Sequence, residues 1–416
     1  MASSRAFEML CIVLLGLGQM CIFTGYDSQS FVAESVLHSV NSREPTRIDG
    51  FAGYYGQATC YAAYMTACLF APSILRILSA KWTLFFGSVC FTVYQIGFLY
   101  LNNIYYYTSC AVMGMGFALY YCGHGAYLTS HSTKKTLEQN SAIAWTIACL
   151  CMIVGSGILA GVFSMNTNPV VPVELWTNVT DNLPKHGGAY RQFTEHEIRL
   201  MYGAFAVVTF CANLIFAFTP SQEMSRWFSN LIRNIFIDKR MIILTPLFIH
   251  LGLYTSFWVS VYPTSLVFTK SLSAHIYLPA YYSAAVGIGE VAMGVIISTM
   301  SKRIKGFGLE PTMFIAFGLT TCLMTVILMS VPKWATVRLT DEPSWIIQPH
   351  VLLSTVIAFF IGMADSCVNN LRNIICALAL PDKRAQAFAI SKFYQVCRIL
   401  KSLAGYGWIS IFRVGK

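Results

Sequence analysis

The chain has 416 residues, of which 56% are hydrophobic and only 11% are charged, and its formal net charge is +10. About a quarter of the residues of a soluble domain are charged, so this composition excludes an ordinary soluble protein. Apolar stretches of roughly 18 to 25 residues recur along the chain, each long enough to cross a bilayer as a helix. The sequence therefore predicts an all-α polytopic transmembrane bundle.

In chain order, the apolar stretches predict eleven membrane spans. The first is too long for a secretory signal and lacks a small-residue cleavage site, so we interpret it as a permanent span. The predicted ranges are 7–29, 51–74, 83–101, 104–130, 141–165, 198–218, 241–268, 276–300, 312–331, 349–377 and 386–411.

A polar segment, residues 219–240, divides the chain into an N-terminal six-span half, residues 1–218, and a C-terminal five-span half, residues 241–416. Apolar residues from Trp227 to Phe236 recur at helical spacing, which predicts an amphipathic helix on the cytoplasmic surface within this connector. Two six-span halves joined by a cytoplasmic connector are typical of major facilitator transporters. The twelfth span is missing, so we expect a truncated second half, arising from an isoform or from the gene model.

Basic loop residues indicate a cytoplasmic N-terminus. That topology leaves fourteen Lys and Arg residues inside and ten outside, as the positive-inside rule requires. It also places the loop 166–197 outside, where Asn178 begins an Asn-Val-Thr glycosylation acceptor. The positive charge is then expected to face anionic membrane lipid rather than nucleic acid. The choice between the plasma membrane and an endomembrane stays open.

All fourteen cysteines fall inside or at the ends of the spans. This distribution predicts buried thiols that act as small apolar side chains, rather than a disulfide framework or a zinc site. The sequence also contains no phosphate-binding Gly loop with Lys and Ser/Thr, no His-Glu-x-x-His motif and no exposed nucleophile–base pair. We therefore expect no enzymatic activity, no metal and no cofactor.

Several spans carry motifs of small and polar residues. Span four contains Gly123-His124-Gly125-Ala-Tyr127-Leu-Thr, and Asn140-Ser-Ala-Ile-Ala-Trp145 follows it. Span eight contains Gly287-Ile-Gly289-Glu290, and span ten contains Gly362-Met-Ala-Asp365-Ser-Cys-Val-Asn369; Phe23–Asp27 and Ala71–Ile74 occur earlier in the chain.

This series resembles the motifs of the Unc-ninety-three (UNC-93) family, a branch of the major facilitator superfamily known as ion channel regulatory proteins. The family pattern has Gln where this chain has His124, Gly where it has Ala142 and Ala where it has Ser366. Within the family, the chain is most similar to the branch of major-facilitator-domain-containing proteins.

The resemblance implies a non-enzymatic role, either as a regulatory subunit of a two-pore potassium channel complex or as an escort for nucleic-acid-sensing receptors. Our leading hypothesis is a multi-pass protein that regulates or escorts a partner membrane protein such as a potassium channel complex. The alternative, implied by the fold alone, is a secondary transporter of a small solute or ion with a central polar cavity. The usual facilitator gating signature is absent from Leu75 to Trp82, which weighs against transport. The oligomeric state stays open.

Ionisable side chains within the spans each cost roughly 2.5 to 3.5 kcal/mol, so they are expected to face a cavity or a polar partner. In a facilitator the first and fourth helices of each half line the central cavity, which places His124 and Asp365 at corresponding positions. The ionisable residues are Asp27, His124, His250, Glu290, Asp365, Arg372, Lys392, Arg398 and Lys401.

On span ten, Asp365, Asn369 and Arg372 share one helical stripe, since they are spaced i, i+4 and i+7. We predict that this stripe faces the cavity as a ligand or coupling site. Arg372 and Asp365 would compensate each other, or one of them would pair with another helix. The alternative is a structural polar clamp that binds no ligand.

Two other candidates have a functional and a structural interpretation each. Glu290 is expected to bury its carboxyl group against backbone or Ser/Thr donors, and proton coupling is the functional alternative. His124 is either a pH switch or a hydrogen-bonded structural residue.

The motif Gly157-Ile-Leu-Ala-Gly161 on span five is typical of close helix contacts. We favour packing within the bundle over an oligomer contact.

Overall fold

The computed structural model describes residues 5–49, 52–133, 135–165, 193–221, 238–273, 275, 277–304, 309–336, 340–380 and 387–396. The predicted amphipathic helix, Asn178 and the basic residues Arg398 and Lys401 lie outside these residues.

The first half consists of six long helices, and a 3-10 turn, Phe98–Tyr100, follows the third. The helices are α1 Arg5–Arg43, α2 Ala52–Cys68, α3 Ala71–Gly97, α4 Asn103–Ser130, α5 Leu137–Met165 and α6 Glu195–Phe218.

The second half repeats the pattern with one interruption, a π turn at Phe257–Val261 that joins α7 to α8. The helices are α7 Lys239–Ser256, α8 Tyr262–Phe268, α9 Lys270–Ser273, α10 Leu278–Arg303, α11 Leu309–Ser330, α12 Val351–Ala379 and α13 at residues 387–396. Within the described ranges, β-pairing is limited to an isolated bridge between Thr269 and Thr340.

The predicted all-α membrane bundle is confirmed. Eight helical segments of the described chain are long and apolar enough to cross a membrane, and each coincides with a predicted span. Helices α2 and α4 occupy two further predicted spans, although α2 has only 17 residues. α13 begins near the start of the eleventh predicted span.

Two predicted span boundaries were wrong. α1 continues to Arg43 instead of ending at residue 29, because Val32, Val36 and Val40 recur at helical spacing and are all buried. The second predicted span combined two helices, since α2 ends at Cys68 and α3 begins at Ala71.

The chain bends within α3 at Ser79. Its backbone φ is 68°, in the left-handed region that non-glycine residues rarely adopt. The bend lies inside the segment Leu75–Trp82, where the facilitator gating signature is absent.

Local sequence explains where several helices begin. Asn102 caps α4 by accepting hydrogen bonds from the backbone N–H groups of Ile104 and Tyr105. Thr194 and Glu197 form a capping box at the start of α6, so the free backbone donors there are satisfied at both positions. Asp238 accepts from the Arg240 N–H at the start of α7.

Helix packing brings the two halves together along α1, α5, α10 and α12. α5 packs against α1 on one side and α10 on the other, and α10 packs against α12. α3 packs against α4 and α6 within the first half, and α11 packs against α12 at the periphery of the second. The central helices therefore enclose the interface between the halves, where polar residues can avoid lipid.

Candidate functional site

The central cavity lies between the two halves and has a volume of about 100 Å³. Six helices, α1, α5, α7, α10, α12 and α13, and the π turn supply its polar wall, and aromatic rings from α1, α2 and α4 complete it. Its charged lining residues are Asp27, Glu290, Asp365 and Lys392.

Asp365 is the most extensively hydrogen-bonded carboxyl group of the cavity. The Trp258 Nε1–H donates to Oδ1 at 3.0 Å, and the Asn369 Nδ2–H donates to Oδ2 at 2.8 Å. The Glu290 carboxyl group lies within hydrogen-bonding range of Asp365, and also of the Cys149 thiol. Two carboxyl groups this close repel each other when both are ionised, and a shared proton would relieve that repulsion.

Glycines explain how Glu290 reaches Asp365. A Cβ atom added to Gly289 would lie 1.9 Å from the Phe359 carbonyl oxygen, and one added to Gly362 would lie 2.0 Å from the Val286 oxygen. α10 and α12 therefore cross with their backbones in direct contact, which only glycine permits. The neighbouring family-motif glycine, Gly287, faces α5 instead, with Met152 Cβ 2.6 Å from an added Cβ.

The π turn positions the indole donor of Trp258. Pro263 cannot donate a backbone hydrogen bond, which weakens the helical ladder over the preceding residues. The turn is held because the Tyr282 hydroxyl donates to the Trp258 carbonyl oxygen at 2.7 Å. π turns inside helices are frequent at functional sites, and this one directs Trp258 into the cavity.

The structure decides between the two pairings that we considered for Arg372 and Asp365, and the partners of Glu290 differ from our expectation. Arg372 does not compensate Asp365; its Nη2 donates to Asn373 Oδ1 at 2.8 Å, and it is only 2% exposed. Asp365 instead accepts a hydrogen bond from Trp258 in the π turn. This agrees with the second possibility, in which one of the two residues pairs with another helix. Glu290 contacts Cys149 and Asp365 rather than backbone or Ser/Thr donors.

The predicted stripe on span ten is only partly at the cavity. Asp365 and Asn369 line it, while Arg372 lies behind its wall. Since seven residues span nearly two turns along the axis, Arg372 is displaced about 10 Å toward the end of α12.

His124 lies near Arg372 and not at the cavity wall. It is buried, and its Nε2 has no hydrogen-bond partner.

The flanking motif residues serve packing. A Cβ at Gly125 would meet the Phe388 ring at 2.5 Å, one at Gly123 would meet Leu84 at 3.2 Å, and the Tyr127 hydroxyl donates to the Pro220 oxygen at 2.9 Å.

Sequence reasoning did not assign Lys392, Trp258 and Tyr121 to the site. Lys392 Nζ lies 3.7 Å from the centroid of the Tyr121 ring. Lys392 was recognisable as an ionisable residue within a span, but Trp258 and Tyr121 are two of many aromatic residues. Asp27, also recognised as ionisable, borders the cavity beside Cys151, whose sulfur lies 3.8 Å from Asp27 Oδ2.

The cysteines are free thiols at all thirteen described positions, and ten of them are buried. Cys211 and Cys322 are exposed on the outer surface of the bundle, contrary to the expectation of uniform burial. Within the described ranges, no three His, Cys, Asp or Glu side chains are grouped to hold a metal ion.

The chain is similar to solved facilitator structures over nearly its full length. The transporter FucP in the outward conformation aligns with a TM-score of 0.61 at 12% identity, covering 99% of this chain and 92% of FucP. The proton:xylose symporter XylE, bound to 6-bromo-6-deoxy-D-glucose, aligns with a TM-score of 0.60 at 12% identity, covering 99% and 90%. At this identity the likeness establishes the major facilitator fold alone.

Sequence relatives extend the comparison. UNC93-like protein MFSD11 of Xenopus laevis is 25% identical over 413 residues, covering 94% of this chain and 88% of the relative. UNC93-like protein 1 of Arabidopsis thaliana is 21% identical over 279 residues, covering 63% and 56%.

A family model described as ion channel regulatory protein UNC-93 matches residues 44–402. The family and the fold are those of transporters and regulators rather than enzymes. The motifs, the bundle and this match, which extends over most of the sequence, agree: this integral multi-pass membrane protein belongs to the UNC-93 family.

Proposed function

We propose that the protein binds a small solute in its central cavity and carries it across the membrane. The observation that carries the proposal is the group of three carboxyl residues, Asp27, Glu290 and Asp365, that line one cavity between the halves. Each buried ionisable group costs several kcal/mol, and a scaffold that only contacts partners gains nothing from placing three together. This geometry favours transport over the role that the family resemblance placed first.

The two halves contribute to the cavity in a way that suits alternating access. Asp365 and Glu290 belong to the second half, whereas Asp27 belongs to the first. A solute in this cavity lies between the two halves, and rocking of one half against the other would expose it to each side in turn. We place the N-terminus in the cytoplasm, because the inner loops hold more basic residues.

Asp365→Asn should reduce solute flux about tenfold or more. Asn keeps the shape of the side chain but removes its charge. Because an amide has only one acceptor oxygen, Asn cannot accept hydrogen bonds from both Trp258 and Asn369 while contacting Glu290. We would reconstitute the full chain in proteoliposomes and measure uptake of amino acids, monocarboxylates, sugars and organic cations, with and without a pH gradient.

The matched control is Lys270→Gln, because Lys270 forms an exposed ion pair with Asp341 far from the cavity. It should transport like the wild-type protein, and both variants should give the same size-exclusion profile. If no solute class enters wild-type vesicles faster than Asp365→Asn vesicles, the transport proposal is wrong.

Regulation or escort of a partner membrane protein, such as a potassium channel complex, is the second candidate. Family membership favours it, as does the surface at Gly157 and Gly161. No described atom lies within 4 Å of a Cβ added at either glycine, so this motif is not packed within the described bundle as we had expected. An open small-residue face on a membrane helix suits close approach of a partner helix.

This candidate predicts that Gly157→Leu combined with Gly161→Leu weakens assembly with a partner and leaves solute flux unchanged. The measurement is quantitative co-purification of a two-pore potassium channel subunit in mild detergent, against Gly318→Leu. Gly318 also faces open space, but on α11. Equal recovery of the channel by both variants and the wild type would count against regulation through this surface.

A further inference from the structure

A cluster of basic side chains lies at one end of the central cavity. Lys392 and Arg372 both face the ring of Tyr121, with Lys392 Nζ at 3.7 Å and Arg372 Cζ at 5.7 Å from the centroid. His124 lies within electrostatic range of both cations. Lys392 and His124 are each 5% exposed and Arg372 is 2% exposed, so the three groups together form a buried basic cluster.

The basic cluster has donors that the described protein does not satisfy. Arg372 uses Nη2 for Asn373, but its Nε and Nη1 atoms are buried and have no partner. The His124 Nε2 and the hydroxyl group of Tyr64, which borders the same end of the cavity, are also buried and unpartnered. The two unpartnered guanidinium nitrogens of Arg372 can only donate, so together with the polar atoms beside them they indicate an absent acceptor.

No carboxylate of the described chain forms a direct ion pair with the cluster, although Asp27 and Asp365 lie within electrostatic range of Lys392. The described ion pairs include neither Lys392 nor Arg372. The Asp365 carboxyl group lies in the same cavity, but both of its oxygens already accept hydrogen bonds, from Trp258 and Asn369. Contact with an aromatic ring offsets only part of the desolvation of a cation, and two cations repel each other. An anion is therefore the acceptor that the two basic side chains favour.

We propose that the basic cluster of Lys392, Arg372 and His124 binds a small anion that enters through the central cavity. The anion is either the carboxylate of an organic solute or an inorganic anion such as chloride. This inference rests on the proposed function, because it names the class of solute that the cavity would carry. Lys392, Tyr121 and Tyr64 line the cavity, so the anion can reach the ammonium group, and Arg372 lies behind it as the second charge.

The size of the cavity limits the ligand. A cavity of about 100 Å³ holds several water molecules, so the site suits a small organic acid rather than a nucleotide. The carboxyl groups at the other wall, Asp365 and Glu290, would repel a second negative charge. A monovalent anion is therefore the expected ligand.

The test compares three probes of equal size and different charge. Propionate, propionamide and propylammonium are titrated into the purified full chain in detergent, and the melting temperature is followed at constant ionic strength. We expect propionate to raise the melting temperature and propionamide to leave it unchanged. A chloride titration distinguishes the two sources, since chloride alone stabilises the protein if the site takes inorganic anions. Stabilisation by the amide or the ammonium ion equal to that by propionate would overturn the proposal, as would no shift with either anion.

Two variants assign the effect to the cluster. Lys392→Met should weaken the apparent anion affinity about tenfold or more, because a charge-assisted contact is lost. Arg372→Met should abolish anion stabilisation and, without anion, should melt no lower than the wild type, because it removes a buried charge that lacks a partner. Arg47→Met is the control: Arg47 pairs with Glu195 and the Leu101 oxygen, so its loss should lower the melting temperature without changing the anion response. Unchanged anion affinity in both cluster variants would refute the assignment.

The test of the anion site and the test of the proposed function can fail independently of each other. If anions fail to bind while another solute class enters vesicles in an Asp365-dependent manner, the anion site is wrong and transport stands. If anions bind but no solute crosses the membrane, the site stands and transport is wrong.

Discussion

Replacing Asp365 by Leu should lower the free energy of unfolding by about 3 kcal/mol. Leu has the same number and branching of side-chain heavy atoms as Asp, but it leaves Trp258 Nε1, Asn369 Nδ2 and the Glu290 carboxyl group without their shared partner. Each buried polar group that loses its partner costs about 1 kcal/mol or more. Reversible unfolding in mixed detergent, followed by Trp fluorescence, measures the change.

Glu290→Met is the matched control for this prediction. Met is close to Glu in volume, and Asp365 retains both of its hydrogen-bond donors, so we expect a change within about 1 kcal/mol. The Cys149 thiol loses an acceptor, but a thiol is only a weak donor. If Glu290→Met destabilises the protein as much as Asp365→Leu does, the contact between the carboxyl groups, and not the donors around Asp365, stabilises this part of the bundle.

Replacing Gly289 by Ala should destabilise the protein by about 1 to 3 kcal/mol, which is typical of overpacking. The new Cβ would lie 1.9 Å from a backbone oxygen of α12, which cannot rotate away as a side chain can. α10 and α12 would have to separate, so Glu290 would also move away from Asp365. We expect lower solute flux as well as a lower melting temperature.

Gly161→Ala provides the comparison, since it is also a glycine within a long helix. Nothing described lies within 4 Å of its added Cβ, and Ala is favoured over Gly in a helix by about 0.5 to 1 kcal/mol. The expected result is an unchanged or slightly raised melting temperature. A similar loss of stability in both variants would show that helix crossing at Gly289 is not the cause.

Many residues of the candidate site could be identified from the sequence, but the contacts between them could not. Asp365, Glu290, Lys392 and Asp27 were identified because an ionisable residue within an apolar stretch is rare and expensive. One of the two pairings that we considered, Arg372 with Asp365, followed from their common helical stripe, yet a residue seven positions away lies about 10 Å along the axis. Short-range periodicity identifies a shared face, and it does not establish contact.

The sequence by itself determined the membrane-spanning helices, the family and the identity of the buried ionisable residues. These properties are local, because hydrophobicity and motif order are read within one helix at a time. Only the tertiary structure decided that Glu290 meets Asp365 and that Lys392 and Arg372 meet over Tyr121. Those contacts join helices far apart in the chain, and they depend on how each helix is rotated and on how closely its neighbours approach. Both depend on packing across the whole bundle, as the direct backbone contact at Gly289 and Gly362 illustrates.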